Sequence, residues 1–442
     1  MILEIIALFS YVALVTLLFR PPLSRRLAPY SMVLVGQILS LISLIMIESG
    51  AWIMEQSRFG YENGSFWLYL LFCLVSLIGF LMGSVFVDLR SLKSEPSASR
   101  ENEFYILSLL MLMFVIFYGY GAYHSQGMAG YGRRTFLLYT YPARILTFMS
   151  VAMNALGWYG IFRLDQFWKK AVFALLYAVA IKFAGDEFGG FLTITILVFI
   201  SLAIFKNIGI KKVLIGGFLA GCAALSVKII ITAHAIHNAG GFFEKMNSSI
   251  RFARDRLAEQ AHVFWYSVNL WSGGKSLDVG VIHWLSDFFR TYYFENIHYG
   301  VGRLMWAINP ALTREFFENG TVFATGLPDI AIISSGLVVA LGLVFLGSVI
   351  YAQLFFFVIR VARLYSFILF LLLFRLFGIF NEFYYSGDFG FFNVKIVAYI
   401  AIFVILYFGF RRFFKNVFLI NWSLEVKDCK NIKALDQKKL SD

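Results

Sequence analysis

Apolar runs of about 18 residues or more recur along nearly the whole chain, the length at which a helix crosses a bilayer. They predict helices at about 2–19, 31–53, 66–87, 104–123, 144–162, 171–184, 188–205, 213–233, 328–358, 366–380 and 396–410. No stretch shows the short alternation of apolar and polar positions that marks an outer-membrane barrel. The expected fold is therefore an all-α integral membrane protein with about eleven transmembrane helices. One long polar interruption, residues 234–327, divides it. Residues 1–233 carry the first eight helices, 328–410 the last three, and 411–442 form a basic tail.

Polar residues between the runs orient the chain. No positive segment precedes the first apolar run, which argues against a cleavable signal and for a first helix that enters from outside. Alternate loops are then cytoplasmic, and they are basic, as the positive-inside rule asks. Arg20, Arg25 and Arg26 follow the first helix, Arg90, Lys93 and Arg100 the third, and Arg163, Lys169 and Lys170 the fifth. Lys206, Lys211 and Lys212 follow the seventh, Arg360 and Arg363 the ninth, and the tail runs from Arg411 to Lys439. This N-out, C-in arrangement accounts for the formal net charge of +12. No nucleic-acid partner is needed to explain it.

Composition agrees: 60% of the 442 residues are hydrophobic and 14% charged, against roughly 25% charged in soluble domains. Aromatics make up 19%, with 50 Phe, read as lipid-facing bulk and interfacial belts. Cys73 and Cys222 fall inside apolar runs and Cys429 in the tail, so no disulfide framework or metal site is indicated. The same topology puts all six histidines (His124, His234, His237, His262, His283 and His298) on the outer side. The short cytoplasmic loops hold no Gly-rich phosphate cradle, which argues against ATP hydrolysis. There is no HExxH motif and no DxD pair, so neither a metal nor any other cofactor is expected.

A loop as long as 234–327 is either functional or independently structured. From Phe242 it reads FFEKMNSSIRFARDRLAEQAHVFWYSVNLW, with Ile250, Leu257, Ala261, Phe264, Val268 and Trp271 recurring at helical spacing. Arg251, Arg254, Asp255, His262 and Tyr266 collect on the opposite face, with Glu259 at its edge and Arg256 to one side. One reading is an amphipathic helix on the membrane surface with a solvated charged face. The other is an anion site, because guanidinium groups stay charged and grip phosphate bidentately.

Further along, Arg290, Arg303 and Arg314 are spaced between aromatics that could stack on sugar rings or merely anchor at the interface. The loop closes with FATGLPDIAIISSG leading into the ninth helix. Outside the large loop, Arg133 and Arg134 lie on the outer side against the charge trend, and GDEFGG at 185–190 forms a tight hairpin. Lys182, Lys228 and Arg375 fall within predicted helices, where an ionisable group invites a functional reading. Lys182 and Lys228 can snorkel to the outer surface, and Arg375 is the most deeply placed.

This layout resembles the Wzy-type polymerases of bacterial surface polysaccharides, a family similar to lipid-linked-sugar glycosyltransferases of the GT-C kind. The likeness spans nearly the full length and rests on the order of loose motifs. They are a Gly- and Arg-containing outer loop (MAGYGRRTF), a Gly/acidic hairpin (GDEFGG) and an Arg-rich start of the large loop (RFARDRLAEQ). A Gly-Pro turn closes that loop (FATGLPDIAIISSG). The resemblance implies an enzyme of the bacterial inner membrane with its active site facing the periplasm. It would transfer a growing glycan from one undecaprenyl diphosphate to the non-reducing end of the next lipid-linked repeat unit. It also implies a chain-length regulator as partner. On that basis Arg251, Arg254, Arg256, Arg303 and Arg314 are expected to bind the diphosphates, with Arg133 and Arg134 as lesser contacts and Arg290 and Arg375 as further substrate-binding candidates. Glu259, Asp255 or His262 would be the base, Glu259 being preferred for its place at the edge of the arginine face.

Two alternatives stand beside this. An O-antigen ligase shares the architecture, but its family shows a His-Asn pair late in the large loop, whereas here His237–Asn238 lies at the start. A lipid-linked oligosaccharide flippase would show related halves and substrate groups near the midplane. The chain has no internal repeat, and its polar residues sit mostly in one loop.

Overall fold

The computed structural model describes residues 2–20, 23–50, 64–89, 92, 101–125, 143–184, 188–206, 244, 247, 250, 251, 254, 257, 260–274, 326–386 and 398–408. The described residues are nearly all helical and include no strand. In chain order the helices are α1 (Ile2–Leu18), a short α2 (Ser24–Leu27) running through a 3₁₀ turn (Ala28–Tyr30) into α3 (Ser31–Glu48), and α4 (Ser65–Val85). Then come α5 (Glu101–Ser125), α6 (Ala143–Arg163), α7 (Phe167–Ala184), α8 (Phe188–Lys206), α9 (His262–Ser272), α10 (Leu327–Leu364) and α11 (Phe367–Ser386). A last apolar helix, α12 (Ala398–Phe408), belongs to a separate unit that begins at residue 394.

Four segments among the described residues are long and apolar enough to cross a membrane: Ser24–Glu48, Ser65–Val85, Glu103–Tyr123 and Leu327–Leu364. In hydrocarbon every backbone N–H and C=O must be satisfied within the protein, which leaves helix as the form such runs can take. The described residues are thus those of a helical, membrane-embedded protein. The predicted run 213–233 lies outside the described residues.

Since lipid is as apolar as leucine, shape and hydrogen bonds rather than water exclusion hold the helices together. On α4, Gly79 and Gly83 lie one turn apart against α10. A methyl group on Gly79 would collide with the carbonyl oxygen of Phe345, and one on Gly83 with that of Val349. Ser348 and Ala352 are the facing small residues. On α6, Gly157 and Gly160 give room to the rings of Tyr177 and Phe173 on α7.

Many of the phenylalanines are therefore not lipid-facing bulk. Phe66, Phe72, Phe80, Phe162, Phe173, Phe355 and Phe356 are fully buried. Trp158 packs its ring against Phe355, Phe374 and Phe377.

A polar tie runs through this apolar interior. Ser76 of α4, Ser348 of α10 and Tyr384 of α11 meet, with Tyr384 Oη 2.7 Å from each serine hydroxyl and Ser348 donating to Ser76 at 3.1 Å. Tyr30 and Tyr11 both donate to Gln37 Oε1, at 2.7 and 2.9 Å. Tyr30 Oη is also 3.3 Å from the Cys73 carbonyl oxygen, joining α4 to the turn before α3. Each hydroxyl finds a partner, as burial demands.

At the end of the bundle where α4, α6 and α10 finish, arginines fill the open carbonyls. Arg26 donates to the carbonyls of Ser84, Val85 and Val87. Arg163, the last residue of α6, donates to the Ala362 and Arg363 carbonyls of α10. Arg363 returns the contact, donating to the Phe162 and Arg163 carbonyls and to Asp165. Glu103 neutralises Arg163 at 2.8 Å, and the Phe205 ring lies 4.4 Å from the Arg363 guanidinium carbon. Buried Lys170 donates to the Ser201 hydroxyl. Helix C-termini carry partial negative charge, so cations in these places are doubly favoured.

Candidate functional site

The opposite end of the bundle is built from the last turns of α3, the first turns of α4, and α9. Helix α9 comes from the large loop, yet it is buried almost all round, with Val263, Phe264, Trp265, Tyr266, Ser267 and Val268 inside. It packs against α3, α4 and α10. Phe264 meets Tyr69 and Phe72 edge-on, with centroids 4.9 and 6.0 Å away. Just before the helix, the Ala261 N–H donates to the Ser43 hydroxyl of α3 at 3.1 Å. The loop therefore returns into the bundle at this point.

Ahead of that anchor, residues 244, 247, 250, 251, 254 and 257 are helical. Arg251 and Arg254 are exposed, and so is Ile250 at 48%. The sequence carries one apolar stripe and one polar face from Ile250 through Trp271; the structure breaks both. Gln260 and Ala261 are non-helical, and the turn resets the angular phase. His262 and Tyr266, expected on the arginine face, are buried at 7% and 2% exposure. The arginines and the aromatic helix are two elements joined by a corner.

The end of the loop is ordered by its own chemistry. Gly326 caps α10, and the Asp329 carboxylate accepts the Gly326 N–H at 2.9 Å, closing the first turn. Ser334 and Ser335 donate back to the Ile330 and Ala331 carbonyls. Gly336 then breaks the helix with φ 77° and ψ 171°, backbone open essentially to glycine alone. At the other hairpin, α7 ends at Ala184 and α8 begins at Phe188, and Gly190 admits the Ile181 side chain.

Of the expected site residues, Arg251 and Arg254 stand together on the exposed helical segment, and His262 lies beyond the corner. Arg375 is half-buried in the middle of α11, apart from these. Arg133, Arg134, Asp255, Arg256, Glu259, Arg290, Arg303 and Arg314 lie outside the described residues. Among the described residues no group of three or more His, Cys, Asp or Glu is placed to hold a metal ion.

Two residues at this end were not singled out from sequence. Ser43 seats the loop, and Glu48, in the last turn of α3, accepts the backbone N–H groups of Gly64 and Phe66 at 3.2 and 3.1 Å. The one available signal was a lone acid closing an apolar run, IMIESG. Comparison of the chain with family models, curated proteins and solved structures finds no match.

Proposed function

We propose that the protein is a glycan polymerase of a bacterial inner membrane, crossing it about eleven times with its first residues outside. It transfers a growing chain from one lipid diphosphate carrier to the next lipid-linked repeat unit, as the resemblance to Wzy-type polymerases implies. The observation that carries the reading is the pair of exposed guanidinium groups, Arg251 and Arg254, on a segment tied to the bundle through Ala261 and Ser43. That tie lies toward the end away from Arg26, Arg163 and Arg363, which the positive-inside rule assigns to the cytoplasm.

In this reading the arginines neutralise the diphosphate as charge develops on the leaving oxygen, a task that needs no metal. Arg256, Arg303 and Arg314 complete the set, with Arg133, Arg134, Arg290 and Arg375 as further contacts. Tethering Arg251 and Arg254 next to a buried anchor helix favours charge stabilisation, because donors fixed in advance need not reorganise during the reaction. The substrate is a lipid-linked oligosaccharide, and a chain-length regulator is a partner.

The experiment is surface-glycan display from a deletion strain complemented with Arg251→Ala or Arg254→Ala. Normal membrane levels with single repeat units in place of long chains support the reading. Wild-type ladders in both variants refute it. Complete absence of surface glycan with polymer held on the carrier would indicate a ligase, and intracellular accumulation of units a flippase.

A further inference from the structure

We infer that the large loop ends in a re-entrant plug. Residues 327–335 do not begin a straight membrane span; they form a short leg folded back against residues 337–364, inside the half of the bundle nearer α9. Leu327–Leu364 holds 38 residues. As one straight helix it would run about 57 Å, far beyond a hydrocarbon core of roughly 30 Å. Leu327 and Gly347 would then stand about 30 Å apart. Instead, a methyl group on Gly347 would meet Leu327 Cδ2 at 3.4 Å and the Tyr384 ring at 3.3 Å. The rise is about 12 Å over 327–335 and about 15 Å over 337–347. Legs so nearly equal bring their far ends together only by lying side by side. Gly336, at φ 77° and ψ 171°, is the turn between them. A methyl group there meets no neighbouring atom within 4 Å, so the backbone and not crowding demands glycine.

The leg starts deep. Gly347 adjoins Ser348, whose hydroxyl donates to Ser76, midway along α4. Leu327 therefore stands level with the middle of α4, and Gly326, still extended at φ −126° and ψ 164°, is carried to nearly the same depth. Non-helical backbone survives there only where protein or water satisfies it. The Gly326 N–H has its partner in the Asp329 carboxylate, and Ser334 and Ser335 donate to the Ile330 and Ala331 carbonyls. The leg thus brings polar partners of its own into an apolar interior.

It is also enclosed. Leu327, Asp329, Ile330, Ala331, Ile332 and Ile333 are buried, and successive helical positions point to every side. Just past the turn Val338 is 82% exposed, as suits a lipid-facing span. Leu327 seats the leg in the notch that Gly347 leaves. The plug fills this half of the bundle, so the loop is rooted twice, once by α9 and once by the leg. Neither the leg nor its seat depends on what the protein catalyses.

The test puts a diazirine analogue of leucine at position 327 of the full chain, through a suppressed stop codon, and irradiates the membranes. Mass spectrometry then identifies the joined peptides. A folded-back leg gives crosslinks to the peptides bearing Gly347 and Tyr384. Crosslinks that miss both, in protein at wild-type membrane level, overturn the plug. A pair of glycine variants supplies the second measurement. Gly342 is an ordinary helical position with the same open space around it. Gly336→Ala should lower the melting temperature by several degrees, because alanine is strained at that backbone conformation. Gly342→Ala should leave it unchanged or raised, alanine being the better helix former. A straight span would accept both alanines, so equal melting of the two variants overturns the plug even where the diazirine chain fails to accumulate.

Discussion

The two ends of the bundle use arginine in opposite ways. Where α4, α6 and α10 finish, Arg26, Arg163 and Arg363 turn inward, and Arg363 is only 4% exposed. Their guanidinium groups are engaged by carbonyl oxygens and by Glu103 and Asp165. At the other end Arg251 and Arg254 project outward from a segment seated on a buried helix. Arginines buried in the fold brace it, while arginines exposed at its surface remain open to a ligand. The residue type alone does not tell the two apart; burial does.

Substitutions at the two ends should separate accordingly, and four of them rank by expected loss of stability. Arg363→Ala removes a buried guanidinium from two helix ends, and should cost about 3 kcal/mol, as leaving buried carbonyl acceptors unmet does. It should show as a large fall in membrane level and melting temperature. Gly79→Leu drives a side chain at the Phe345 carbonyl and should cost about 2 kcal/mol by overpacking, read by the same melting measurement. Tyr384→Phe removes the hydroxyl shared by Ser76 and Ser348, and about 1 kcal/mol is expected for a hydrogen bond between membrane helices. Arg254→Ala, on an exposed surface, should change stability by less than about 0.5 kcal/mol, while abolishing long glycan. Equal melting losses in Arg254→Ala and Arg363→Ala would erase the contrast.

Much of the helical layout was legible because an apolar run ends where polar residues begin, and lipid allows it little choice but helix. The runs predicted at 66–87 and 144–162 correspond to Ser65–Val85 and Ala143–Arg163. The packing was less legible. Phe355 and Phe356 are as apolar as Phe9, yet the first two are buried and the last is exposed, because neighbouring elements such as the rings of Trp158, Phe162 and Phe377 against Phe355 decide which face is covered. The loop misled for a different reason. Helical periodicity assumes unbroken phase, and the corner at Gln260–Ala261 sends His262 and Tyr266 inward while Arg251 and Arg254 stay out. Glu48 escaped notice because its significance lies in which backbone N–H groups reach it from across a chain turn.

The most direct measurement replaces Arg254 with cysteine in a chain lacking Cys73, Cys222 and Cys429, and treats intact spheroplasts with a membrane-impermeant maleimide. The account predicts that Arg254→Cys is labelled at once, on the outer face of the membrane. Protection in intact spheroplasts, with labelling only after the membrane is opened, would place the arginines in the cytoplasm and contradict it.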